Sequence, residues 1–128
     1  MPKRFYFATS VDLSAQAAPL LEVLKAHGWV RTFEWTSDID PDRYAETALK
    51  ELEGVREADV VIALLPGGRG THVEIGAALA LDKPVILYAP DRKTLDTPYP
   101  CPFHYHPAVK LLVSEVLVVD TVLACLRD

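Results

Sequence analysis

Val60-Val61-Ile62-Ala63-Leu64, then Leu65-Pro66-Gly67-Gly68-Arg69-Gly70-Thr71-His72-Val73-Glu74, then Ile75 to Leu81 is the stretch that decides the fold. An unbroken apolar run that opens on three β-branched residues reads as a strand. The glycine-rich turn ends it, and an apolar helix follows. Such a turn aims backbone N–H groups at one point, and the helix N-terminus adds partial positive charge there. Glu74 is then expected in the first helical turn, beside an anion site. A carboxylate and an anion repel, so its presence needs a reason.

Similar alternation continues on both sides. Phe5 to Ala8 reads as a short buried strand. A helix is expected from about Ala15 to His27, capped by Ser14, with Ala17, Leu20, Leu21 and Leu24 on one face and Gly28 as its stop. Trp29 to Trp35 has strand composition, and Thr36 to Asp40 a loop composition. Asp40-Pro41 is a helix start, and Ala45, Ala48, Leu49, Leu52 and Val55 mark the expected buried face. The third strand is Val60 to Leu65, with a helix from about Thr71, and Pro84 to Ala89 is the fourth strand. Pro90 to Pro107 holds five prolines and an aromatic and histidine cluster, and reads as an ordered functional loop. Lys110 to Val113 and Val116 to Leu126 complete the pattern as strand and helix.

This order predicts one domain over residues 1–128. Its class is α/β, a three-layer αβα sandwich, flavodoxin- or Rossmann-like, with a mainly parallel sheet of about five strands. Ligands of such sheets bind outside the carboxyl ends of the strands. That rim would hold Ala8, Thr9 and Ser10, the segment from Trp35 to Asp40, Pro66 to Thr71, and the chain from Pro90 onward.

Composition narrows the function. With 128 residues, 50% hydrophobic, the chain can bury a core. A net charge of −5 argues against a broad nucleic-acid surface but not against a pocket for one nucleotide. No run suggests a membrane span or a cleavable leader. Cys101 and Cys125 are too few for a disulfide framework, so a cytoplasmic protein with reduced thiols is expected.

The glycine turn is neither of two common phosphate loops. No lysine follows its last glycine, and Val73 takes the place of the third glycine in a Gly-x-Gly-x-x-Gly pattern. Thr71-His72-Val73-Glu74 also fits a capping box, in which Thr71 and Glu74 only close the helix end.

The motif Ala58-Asp59-Val60-Val61, Gly70-Thr71-x-x-Glu74-x-Gly76-x-Ala78 and Lys83-Pro84-Val85, with Phe5-Tyr6-Phe7-Ala8 at the start, resembles the nucleoside 2-deoxyribosyltransferase superfamily. That superfamily includes base-exchanging transferases and hydrolases of deoxynucleoside 5'-monophosphates. Pro66-Gly67-Gly68-x-Gly70-Thr71-x-x-Glu74 is also similar to the motif of cytokinin-nucleotide phosphoribohydrolases, whose chains are longer and carry an arginine-bearing helix not found here. Both resemblances imply cleavage of an N-glycosidic bond.

Such cleavage builds positive charge on the sugar, which a carboxylate at C1' stabilises or attacks. Glu74 would take this role. Gly67, Gly68, Arg69, Gly70 and Thr71, with Ala8, Thr9, Ser10 and Trp35, would bind substrate, the glycine N–H groups holding a 5'-phosphate. The resemblance makes Tyr6 the partner that orients Glu74; a core tyrosine with a satisfied hydroxyl is the alternative. It sets Glu51 where the family has a base-side aspartate, in a charged run that also fits a solvated helix face. Gly68 stands where transferases of the family carry an aspartate for the base, which leans the reading toward hydrolysis. Asp59 falls at the end opposite the rim and reads as structural, and Asp40 as a helix cap.

Cys101-Pro102-Phe103-His104-Tyr105-His106 lacks a clear fourth ligand and matches no standard zinc pattern. A loop that closes over substrate or crosses to a neighbouring subunit is expected instead, with His72 as surface or pocket wall. No metal and no cofactor is expected, and the expected assembly is a homodimer or higher homo-oligomer. A non-catalytic nucleotide-binding module on the same fold is the alternative function.

Overall fold

The computed structural model describes residues 3–10, 13–34, 40–116 and 119–126. Five strands form one sheet in the order β2-β1-β3-β4-β5, all parallel: β1 Arg4–Ala8, β2 Val30–Arg31, β3 Val60–Leu64, β4 Val85–Ala89 and β5 Val109–Val113. The helices are α1 Ser14–Ala26, α2 Tyr44–Glu57, α3 Arg69–Ala80 and α4 Val119–Leu126. This is the doubly wound flavodoxin-like order, whose direction of winding reverses between β1 and β3.

The pleat sends alternate residues of each strand to opposite layers. Phe5, Phe7, Val60, Ile62, Leu64 and Ile86 face α1 and α4, where Leu20, Leu24, Val122 and Leu123 close over them. Tyr6, Ala8, Val61, Ala63, Val85 and Leu87 face the other way, toward Val55, Ile75, Ala78 and Leu79 on α2 and α3. β3 and β4 are buried along their whole length, as their unbroken apolar runs require.

Several boundaries move from expectation. Ser14 is the first helical residue of α1 and Leu13 holds the N-cap position, one residue earlier than expected. The second strand is only Val30–Arg31, although Thr32 N still donates to Phe5 O at 3.0 Å. The ladder ends there because Thr32 Oγ1 turns to the Gly54 carbonyl of α2 at 2.8 Å, and Phe33 packs into the core beneath that helix. Asp40 does cap, accepting from Asp42 N at 3.0 Å, but it opens a single 3-10 turn, Pro41–Arg43, before α2 begins. Val116, expected to open the last helix, lies outside α4 as described, Val119–Leu126.

The face expected to bury α2 is rotated away. Ala45, Ala48 and Leu49 are exposed, Leu49 by 73%, and Leu52 by 38%. Of the expected face only Val55 is buried, and Thr47, Glu51 and Gly54 turn inward beside it. The cause is close approach. A Cβ on Gly54 would lie 2.9 Å from Phe33 Cβ and 3.0 Å from Tyr6 Cδ2, so only glycine lets α2 come this near to β1.

Candidate functional site

At the winding reversal, β1 and α3 bring two residues 68 positions apart into one hydrogen bond. Tyr6 OH donates to Glu74 Oε2 at 2.5 Å. Tyr6 is buried because it points from the middle of β1 into the layer of α2 and α3, and Glu74 is only 6% exposed. Glu51, half-buried on the inward side of α2, is the third member: its carboxyl lies within hydrogen-bonding reach of Glu74.

Burial dominates the electrostatics. It pushes the Glu74 carboxyl above the ordinary carboxylate range, the Tyr6 hydrogen bond opposes the rise, and the negative charge of Glu51 adds to it. A raised Glu74 carboxyl favours its protonated form, which can donate a hydrogen bond toward Glu51. Burial first, then Glu74, keeps the Tyr6 phenol far above its usual value, so it remains a donor. The cluster thus offers two carboxyls and a fixed hydroxyl within a single layer.

The glycine turn differs from expectation in detail. Gly68 holds the N-cap position and Thr71 is the third helical residue. Thr71 Oγ1 reaches back to accept from Gly68 N at 3.1 Å. The cap is therefore made by Gly68 and Thr71, and Glu74 has no part in it. It lies a turn further along α3 than the first turn, where Tyr6 engages it. This removes the reading of Glu74 as a capping residue, and Gly68 N–H is also withdrawn from any anion. Arg69, Gly70 and Thr71 occupy the first three helical positions, whose N–H groups have no carbonyl within their own helix. Gly67 is fixed by packing, since a Cβ there would stand 2.5 Å from Thr71 Cγ2. Gly68 and Gly70 face open space.

Other rim residues divide. Thr9 Oγ1 donates to Leu64 O at 3.2 Å and ties the ends of β1 and β3 together. Ser10 is half-buried, and its carbonyl accepts from Leu13 N. Ala8 has its side chain wholly in the core, which leaves only its backbone for a ligand. Trp35, with residues 36–39, lies outside the described residues. At the opposite end of the sheet, Asp59 Oδ2 accepts from Arg4 N at 2.8 Å. A cavity of about 360 Å³ opens there between Trp29, Asp59, Pro107 and Lys110, far from the carboxyl pair.

The 90–107 segment folds back on its own chain. Leu95 enters the core beside α3, and Pro102–Tyr105 forms a 3-10 turn that buries His104. His104 meets His72 of α3, their Nε2 atoms 2.9 Å apart. Cys101 stands at the start of the same turn. The sequence puts His72 on the surface or a pocket wall, apart from this cluster, and the shared chemistry of histidine and cysteine is the one sequence signal that joins them.

These features match known proteins. The family model of nucleoside 2-deoxyribosyltransferases matches residues 5–122. No match is found among curated proteins. Among solved structures, a CMP N-glycosidase, BcmB, from Clostridium botulinum is similar over 98% of this chain and 100% of its own, with a TM-score of 0.66 and 22% identity. A 2-deoxyribosyltransferase from Bacillus psychrosaccharolyticus is similar over 68% of this chain and 72% of its own, at a TM-score of 0.56 and 20% identity. A de novo designed Rossmann 2x3 protein is similar over 99% of this chain and 90% of its own, with a TM-score of 0.58 and 15% identity. That a designed protein fits almost as well separates the fold, which these structures share, from the chemistry. The match to the family model, over nearly the whole length, goes beyond the fold: this chain belongs to the nucleoside 2-deoxyribosyltransferase family.

Proposed function

We propose that this protein hydrolyses the N-glycosidic bond of a nucleoside 5'-monophosphate, with Glu74 acting at C1'. The observation that carries the reading is the buried Tyr6–Glu74 pair with half-buried Glu51 beside it at the winding reversal, next to the α3 N-terminus. The phosphate is held by the N–H groups of Arg69, Gly70 and Thr71, with the exposed Arg69 side chain beside them. Phosphate and carboxylate then serve opposite ends of one nucleotide, which accounts for an acid so near an anion site.

The two carboxyls divide the labour, the proton on Glu74 passing through Glu51. As the C1'–N bond lengthens, its electron pair moves to the base, and Glu51 passes the proton to that leaving nitrogen. Glu74 is left ionised as positive charge develops on the sugar, and either stabilises that charge or bonds to C1'. Tyr6 keeps its carboxylate aligned. Water then attacks C1', giving its proton to Glu51 and its oxygen to the sugar phosphate. Two features favour water over a second base as acceptor: Gly68 stands in place of a base-binding aspartate, and the similarity to a CMP N-glycosidase runs end to end.

Incubating the protein with a panel of ribo- and deoxyribonucleoside 5'-monophosphates and separating the products tests this. Free base and sugar phosphate are expected from at least one, and base exchange should be negligible when a second base is added. Binding without release from any member would make the protein a nucleotide-binding module. Release unchanged in Glu74→Gln would remove the mechanism.

A further inference from the structure

We propose that His72, Cys101 and His104 form a zinc-binding site that fastens the 90–107 segment to the start of α3. The three residues offer ligand atoms that all lie within 4.8 Å of one another. The 3-10 turn explains how two of them meet. His104 N donates to Cys101 O at 3.1 Å, and side chains three residues apart eclipse in this helix type, so thiol and imidazole emerge on one side.

The third ligand is oriented from the glycine turn. His72 Nδ1 lies 3.0 Å from Gly68 O and donates its proton there. Nε2 is left with its lone pair, and it is aimed at His104. A backbone carbonyl that fixes the far nitrogen of a histidine in this way is the usual outer support of a metal ligand. His104 is 95% covered, since its exposure is 5%. Among the described residues its Nδ1 finds no hydrogen-bond partner, so the ring is held in place by something other than a complete set of polar contacts.

The distances suit a tetrahedral ion. Bonds of about 2.0–2.1 Å to nitrogen and 2.3 Å to sulfur put donors about 3.3–3.6 Å apart, so each donor needs to move by less than about 1 Å. Two imidazoles and a thiolate favour zinc over magnesium, calcium or manganese. Three protein ligands leave one position for water or an anionic oxygen. Because His72 directly follows the Arg69–Thr71 turn, the ion would add positive charge beside the helix N-terminus. The site stands independently of the reaction proposed above.

The test is zinc loading of the full chain, removal of excess metal and measurement of bound zinc. One zinc per chain is expected, together with a higher Tm than the metal-stripped protein. Cobalt in its place should show the visible bands of a tetrahedral site and a thiolate charge-transfer band. Cys101→Ser should abolish that band and weaken zinc binding at least about tenfold, whereas Cys125→Ser should change neither. His104→Ala can disturb folding, so the half-buried Cys101 carries the decision. Absence of bound zinc after loading, or undiminished binding in Cys101→Ser, overturns the proposal.

Discussion

The two layers that cover this sheet are built by opposite rules. On the α1 and α4 side, Phe5, Phe7, Leu20, Leu24 and Ile62 interlock as an apolar core. On the α2 and α3 side, alanines and a glycine bring helices close, and a tyrosine and two carboxyls fill the space beneath. Close-packed apolar side chains stabilise in proportion to the surface they bury. A buried carboxyl pair costs stability and persists where reactivity requires it. One layer therefore holds the fold together, and the other holds groups in states that water would not allow.

The largest effect should be chemical and confined to one layer. Glu74→Gln keeps an acceptor for Tyr6 but removes the carboxylate, and kcat is expected to fall at least about 10³-fold with the fold intact. On the other layer, Leu20→Ala should cost about 2–5 kcal/mol, read from denaturant unfolding, while turnover per folded molecule stays near normal. If that substitution instead abolishes turnover in protein still folded, the division between layers is wrong.

Gly54→Ala probes the boundary. Alanine is the better helix former by roughly 1 kcal/mol. Its methyl would nevertheless meet Tyr6 and Phe33 at 3.0 Å or less, so a net loss of about 1–3 kcal/mol is expected, with reduced kcat. Stabilisation with full activity would show that the approach of α2 is not needed.

Stability against pH separates the layers more finely. Because burial raises the Glu74 carboxyl in the folded state, the native protein binds a proton that the unfolded chain has released above about pH 4.5. This contribution is fully present below that pH and is lost as pH rises through the folded value. The Tm should therefore decline across this window, and Glu74→Gln should flatten the decline and raise Tm at neutral pH. The smallest effect is expected on the outer side of α2. Leu49→Glu, at a position 73% exposed, should change stability by no more than about 0.5 kcal/mol.

Much of this architecture is legible in local sequence. Buried parallel strands read as unbroken apolar runs, so β1, β3 and β4 stand within a residue or so of expectation. The edge strand β2 was overestimated because strand composition persists past Arg31, while Thr32 and Phe33 are claimed by α2. Glu74 and Tyr6 were singled out by family resemblance. Their pairing links distant parts of the chain, which no periodicity encodes. Glu51 was harder still. The apolar arc of α2 points to Ala45, Ala48, Leu49, Leu52 and Val55 as the buried side, whereas the close approach at Gly54 keeps only Val55 of these and selects the neighbouring arc that carries Glu51. His72 and His104 meet only because the 90–107 segment returns to α3.

Gly54 sets a limit that no side chain could set. With nothing but a hydrogen on its α-carbon, the helix rests on the flat ring of Tyr6, a surface that does not yield. The gap between the two acids is then fixed by a backbone against an aromatic plane instead of by flexible methylenes. A bare spot on a helix thus acts as a mechanical stop, and how strongly Glu74 feels the charge of Glu51 follows from where that stop lies.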